Sequence, residues 1–269
     1  MRSTQIVTRR LALWWVYTAF AVSAAFGTGA TVPPAVVAAS FGAPKRSAGL
    51  HEPIYIEFSV HNGTRAPIHF DLGKDREGRF EFSIGEPGGK MAGPFRLPRG
   101  GPGTVGKVSL APAGTYTQKI LLNEWYQFEA PGDYKVQCKL IPAARPEPGE
   151  ALTGSRSEKL YVHIGPRNTV RLEDVCRSLA TTALNSSSDW RPAVTALSYI
   201  PDLIAVPFLE EVAVRSSALR ATAVEGLARI ANVQGIDKVI SNLKGKHPRL
   251  VSEIRTELNM IRQGVRVAD

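Results

Sequence analysis

The sequence predicts a multidomain β plus α chain, a β-sandwich followed by a short α-solenoid. Three observations carry that reading. Between Leu50 and Ile164, apolar residues alternate with polar ones over short segments, the period of half-buried strands. After Gly165-Pro166 the spacing changes to that of amphipathic helices. The helical pattern then recurs at a shift of about 30 residues, with two helices per unit.

Taken in order, the chain divides as follows. Residues 1–39 read as a signal peptide with its c-region, 40–49 as a linker, 50–166 as the sandwich, 167–169 as a hinge, 170–264 as helical repeats and 265–269 as a tail. In the leader, Arg2, Arg9 and Arg10 precede the uncharged apolar run Leu11–Gly27. Small residues then offer cleavage after Ala30 or Ala39. Thr8-Arg9-Arg10-Leu11 is similar to a twin-arginine signal in its arginine pair. The alternative is an uncleaved anchor helix, for which the apolar run is just long enough. No cysteine lies near the cleavage region, which excludes a lipoprotein. The expected location is exported, periplasmic or extracellular, with membrane contact only if the leader is retained.

The net charge of +9 says little about partners. Three of the arginines belong to the leader. Residues 45–159 carry 16 basic and 13 acidic side chains, residues 167–269 carry 14 and 11, and neither contains a charge run. A nucleic-acid binder is expected to concentrate its basic residues on one face, so no nucleic-acid partner is expected.

Strands are expected at Ile54–Val60, Ile68–Leu72, Phe80–Ile84, Val108–Leu110, Ile120–Leu122, Tyr134–Leu140 and Leu160–Ile164. Seven or so strands in roughly 115 residues fit two packed sheets. Pro131-Gly132-Asp133-Tyr134 places a tyrosine after a glycine turn at the start of an apolar strand. This resembles the tyrosine corner of immunoglobulin-like sandwiches, whose hydroxyl bonds back to the main chain. The resemblance is to the broad immunoglobulin-like class of bacterial envelope proteins, small sandwich proteinase inhibitors included. Cys138 has no partner within the sandwich, so the disulfide of antibody domains is missing.

Val170–Leu184 is expected to open the helical part, with Leu172, Val175, Cys176, Leu179 and Ala183 on one stripe. Ser186–Asp189 supplies a loop and a helix N-cap. Leu219, Ala223, Leu227 and Ile230 form the next clear stripe, broken by Asn232 and Gly235, and Ile236–Leu243 forms another. Ala193, Val194, Leu197 and Ile200 superpose on Ala223, Val224, Leu227 and Ile230. Leu250, Ile254, Leu258 and Ile261 continue the series. Leu219-Arg220, Ala223-Val224 and Gly226-Leu227, with Pro207 in the preceding helix, resemble a HEAT repeat over about three units. An ordinary helical bundle is the alternative.

Motifs for chemistry are few. Gly101–Val108 nearly spells a phosphate-binding loop, but Val108 lacks the hydroxyl and no helix follows. Asp71, Asp75 and Glu77 cluster in a turn whose spacing does not match a calcium loop. Surface strand positions are the default for His61 and His69, with facing each other across a hairpin as the alternative, and no histidine pair has metal-ligand spacing on one helix. Cys176 sits on a core stripe, so a buried thiol is expected; a Cys138–Cys176 bridge would tie the two parts together. No cofactor and no metal is expected.

Candidate partner-binding residues lie in the Gly- and Pro-rich loop Gly85–Gly106, which holds Met91, Phe95, Arg96, Leu97 and Arg99, and at Trp125, with core positions as the more frequent role of Trp125 and as the alternative for Phe95 and Leu97. The expected role is a non-enzymatic exported binding or scaffolding protein of the bacterial envelope, engaging a protein or peptide. A proteinase inhibitor acting through a sandwich loop is the alternative, and a hydrolase with a dispersed site at the domain junction is a third.

Overall fold

The computed structural model describes residues 37–72, 79–92, 106–142, 149–245 and 247–263. The segment before Val37, read above as a leader, and the tail 265–269 lie outside the described residues. The chain is a β plus α protein: among the described residues, ten strands precede six α-helices.

The strands are β1 (Val37–Gly42), β2 (Ser47–Gly49), β3 (Tyr55–Asn62), β4 (Ile68–Asp71), β5 (Phe80–Gly85), β6 (Met91–Ala92), β7 (Lys107–Leu110), β8 (Thr115–Leu121), β9 (Gly132–Leu140) and β10 (Arg156–Gly165). They form three sheets, ordered β1-β3-β8, β2-β10-β9-β5-β6 and β4-β7. The burial of β3 and β9 follows the two-residue alternation of their sequences. Phe41 of β1 and Phe58 of β3 meet Phe80 of β5, with ring centroids 6.1 and 5.1 Å apart, so the inner faces of the two larger sheets touch.

Two segments differ from expectation. Residues 40–49, read as a linker, carry the end of β1 and all of β2. β1 pairs antiparallel with β3 from Val37↔Asn62 to Gly42↔Glu57. Pairing satisfies backbone groups that a linker leaves to water, and a local pattern does not announce it. A cut after Ala39 would therefore fall inside β1. The outer edge of β1 is closed by side chains of β10: Phe41 N donates to Glu158 at 2.7 Å, and Arg156 donates to Val37 O at 3.2 Å.

The turn before β9 has the bond its tyrosine predicts. Tyr134 Oη donates to Ala130 O at 2.8 Å, while its ring is buried against Phe128. Asn62, fully buried, pins the neighbouring turns by donating to Ala66 O, Leu110 O and Ala111 O.

The helices are α1 (Thr169–Asn185), α2 (Trp190–Ser198), α3 (Val206–Arg215), α4 (Arg220–Gln234), α5 (Ile236–Asn242) and α6 (Pro248–Gln263). α4 is central and packs on α2, α3, α5 and α6, while α1 packs on α2 and α3. Its close neighbours explain Gly226: a methyl group there would sit 2.7 Å from Ser198 Cα, so only glycine lets α2 approach. α4 runs through Asn232, expected to break it, and ends at Gly235, whose φ of 96° suits glycine. Asp189 stands at the start of α2, but its carboxylate accepts from Ser188 Oγ and caps no helix N–H.

Residues 167–169, expected as a hinge, are pinned. Asn168 caps α1 by accepting from Arg171 N at 3.0 Å, and Arg167 is ion-paired to Asp202. The β part and the helical part belong to one compact unit.

Candidate functional site

Two places gather polar chemistry: the junction of the β and helical parts, and a cleft beside β4 and β7. The junction begins at the turn after β2. His51 has a φ of 74°, a left-handed conformation that costs a residue with a Cβ about 1 kcal/mol. That turn sends His51 and Glu52 toward the helices together. His51 Nδ1 lies 2.8 Å from Asp202 Oδ2. Arg167 grips the same carboxylate with both arms, Nε at 2.6 Å from Oδ2 and Nη2 at 3.0 Å from Oδ1. Ile204 N adds a fourth bond to Oδ1 at 3.1 Å.

Burial would raise the Asp202 carboxyl, but the bonds from His51, Arg167 and Ile204, together with the Arg167 charge, outweigh it. They hold the group well below the usual carboxylate range. Alongside, Arg171 Nη2 donates to Glu52 Oε2 at 2.8 Å. Glu52 is buried, and its Oε1 has no hydrogen-bond partner among the described residues. Gly49 leaves room for it, since a methyl there would lie 2.6 Å from Oε1.

Within the helical part, Tyr199 after α2 meets Arg229 of α4. The guanidinium of Arg229 lies 3.7 Å over the Tyr199 ring and bonds Glu225 at 2.5 Å. Burial raises the Tyr199 phenol, Arg229 lowers it, and the charge of Glu124 from the β part raises it again. Burial and the same Glu124 push the Tyr55 phenol up to about 12.

The cleft encloses about 240 Å³ and is lined by His69, Phe70, Asp71, Lys107, Val108, Ser109 and Glu150. Strand pairing sets His69 opposite Ser109 and Asp71 opposite Lys107, so these four side chains share one face of the ribbon. Leu72 N donates to Gly106 O at 2.9 Å, which closes the end of the ribbon beside the cleft.

The sequence-level candidates fare unequally. Met91 lies on β6 and is 52% exposed. Phe95, Arg96, Leu97 and Arg99 lie outside the described residues, as do Asp75 and Glu77. Trp125 takes the core role rather than the contact role: it is 3% exposed and packs edge-to-face on Phe82 at 5.0 Å. A 3-10 turn at Leu122–Glu124, closed by Trp125 N donating to Leu122 O, precedes it.

His61 and His69 do not face each other across a hairpin. His61 lies on β3, paired with β1 and β8, and His69 on β4, paired with β7. Cys138 and Cys176 are free and buried in separate cores, so they form no bridge. Burial pushes both thiols up to about 12, helped by Glu158 for Cys138 and by Asp202 and Glu173 for Cys176. Among the described residues, no three His, Cys, Asp or Glu side chains gather as a metal site.

The junction residues were missed by sequence reading. His51 and Asp202 are 151 positions apart, and Glu52 and Arg171 are 119 apart. The one local signal was Asp202 itself, an acidic residue at the start of a helical turn.

No family model matches the chain, and no curated protein matches it. Among solved structures, a β-glucosidase from Listeria innocua in complex with isofagomine is similar at 10% identity and a TM-score of 0.25. That match covers 49% of this chain and 16% of the β-glucosidase. AvmM, which catalyzes macrocyclization in alchivemycin A biosynthesis, is similar at 13% identity and a TM-score of 0.25, over 49% of this chain and 90% of AvmM. Likeness this slight carries neither fold nor function to this protein.

Proposed function

We propose that this chain is a non-enzymatic exported binding or scaffolding protein of the bacterial envelope. In this reading the β part is an immunoglobulin-like sandwich and the helical part a short HEAT-like solenoid. The leader directs export and is cleaved after Ala30, which leaves β1 whole. The occupant is a protein or peptide, held by the helical stack and the β-part loops.

The observation that carries the proposal is how the junction uses its polar groups. Asp202 spends both oxygens on His51, Arg167 and Ile204 N. Glu52 gives one oxygen, Oε2, to Arg171. Groups so bound hold one part against the other and present both surfaces in a fixed relation, which lowers the ordering cost of engaging a partner.

The test is affinity capture of the tagged chain from envelope extracts of its own host, with crosslinking and mass spectrometry. One protein captured stoichiometrically, and lost when Arg167→Ala loosens the junction, is the expected result. Capture of nothing above control sinks the proposal. The inhibitor alternative draws on Met91, an exposed apolar side chain a few positions before Phe95 in the sequence. It requires that the captured protein be a protease whose turnover falls on binding.

A further inference from the structure

We infer that the cleft beside β4 and β7 binds a neutral, hydroxyl-rich small molecule, by chemical class a saccharide. The inference does not depend on the protein-binding role proposed above. The inference starts from Glu150. Glu150 runs alongside β4, bridged to His69, and Ala151 N donates to His69 O at 2.8 Å. Its side chain is only 3% exposed, yet it lines the cleft.

One oxygen of Glu150, Oε1, accepts from Arg79 Nη1 at 3.1 Å. Among the described residues no group bonds the other oxygen, Oε2. Arg79 is itself buried, its Nη2 reaches Leu152 O only at 3.4 Å, and its Nε has no acceptor among the described residues. A buried ion pair stabilises a fold only when hydrogen bonds satisfy the groups left over. Among the described residues a donor on Arg79 and an acceptor on Glu150 stay unused, so packing is a poor reason for the pair. It does hold the Glu150 carboxylate at the cleft, with Oε2 unbonded among the described residues.

Charge and donor pattern narrow the ligand. Glu150 is balanced by Arg79, and Asp71 stands opposite Lys107. A cation entering the cleft meets the positive field of Lys107 and Arg79; an anion meets Asp71 and Glu150. A hydroxyl group suits both signs, donating to the Glu150 carboxylate and accepting from Ser109 or His69. Several such groups on one rigid ring match polar side chains that alternate along two paired strands. The 240 Å³ volume admits one small ring and not a folded chain.

Saturation-transfer NMR on the full chain tests this with glucose, galactose, mannose and N-acetylglucosamine. Ethylammonium and inorganic phosphate serve as charged counter-probes. Transfer to at least one sugar is expected, falling at least tenfold in Ser109→Trp, which fills the outer face of the ribbon away from the core. Glu150→Gln should abolish it, with the fold checked by circular dichroism. Transfer to no sugar overturns the inference. So does transfer that Ser109→Trp leaves unchanged, or transfer that favours ethylammonium or phosphate. Because the readout uses no protein partner, its failure is distinct from failure of the capture experiment.

Discussion

Asp202 shows how much one side chain holds. It is 4% exposed, and its neighbours favour the charged form so strongly that its carboxyl sits below its ordinary 3.8. A depressed carboxyl contributes stability that is fully present above its ordinary value and is lost as pH falls through the folded value. Asp202→Asn should therefore cost about 3 kcal/mol near neutral pH. The gap from the parent should close as pH drops below about 4, as followed by urea unfolding across pH; a gap that stays constant with pH contradicts the assignment. The thiols give a second check at this scale. With Cys138 and Cys176 both pushed up to about 12 and buried, neither should react with a disulfide reagent at about pH 8 in the native state. Both should react in denaturant, and rapid native labelling of either would place it outside its core.

At the scale of elements, β9 and α4 give opposite lessons about local pattern. The start of β9 was legible, because a tyrosine after a glycine turn needs an acceptor behind it and Ala130 O supplies one. Tyr134→Phe should lower stability by about 1–2 kcal/mol, since the carbonyl loses its donor. A melting temperature unchanged from the parent would show that the corner holds without this bond. In α4, helix propensity alone favours Gly226→Ala by about 1 kcal/mol. The new methyl meets Ser198 Cα at 2.7 Å and Cβ at 2.8 Å, and overpacking against backbone costs about 1–3 kcal/mol. The clash with α2 outweighs the gain in helix propensity, so the urea midpoint should fall; a rise would mean that α2 yields readily.

For the whole molecule, the question is whether the β part and the helical part melt together. Their joint rests on Asp202 with His51 and Arg167, on Glu52 with Arg171, and on the field of Glu124 at Tyr199. Calorimetry should show one transition for the parent chain. Asp202→Ala combined with Arg171→Ala should split it into two, because each part keeps its own apolar core. A single transition in the double variant would assign the coupling to apolar contact.

Local pattern was enough for the order of β before α, the main strands and the six helical segments. Those follow from periods of 2 and 3.6 that any short window displays. It was enough for the tyrosine bond too, because donor and acceptor are four residues apart. Everything else waited on the folded chain. The short strands β1 and β2 exist because other strands pair with them, and Trp125 is buried because a local turn and Phe82 enclose it. The junction joins groups more than a hundred positions apart. The cleft depends on β4 choosing β7 as its neighbour, with Glu150 alongside. Such pairings are contests between distant segments for the same hydrogen bonds and apolar area. A linear pattern names the contestants, and only the folded chain shows which of them met.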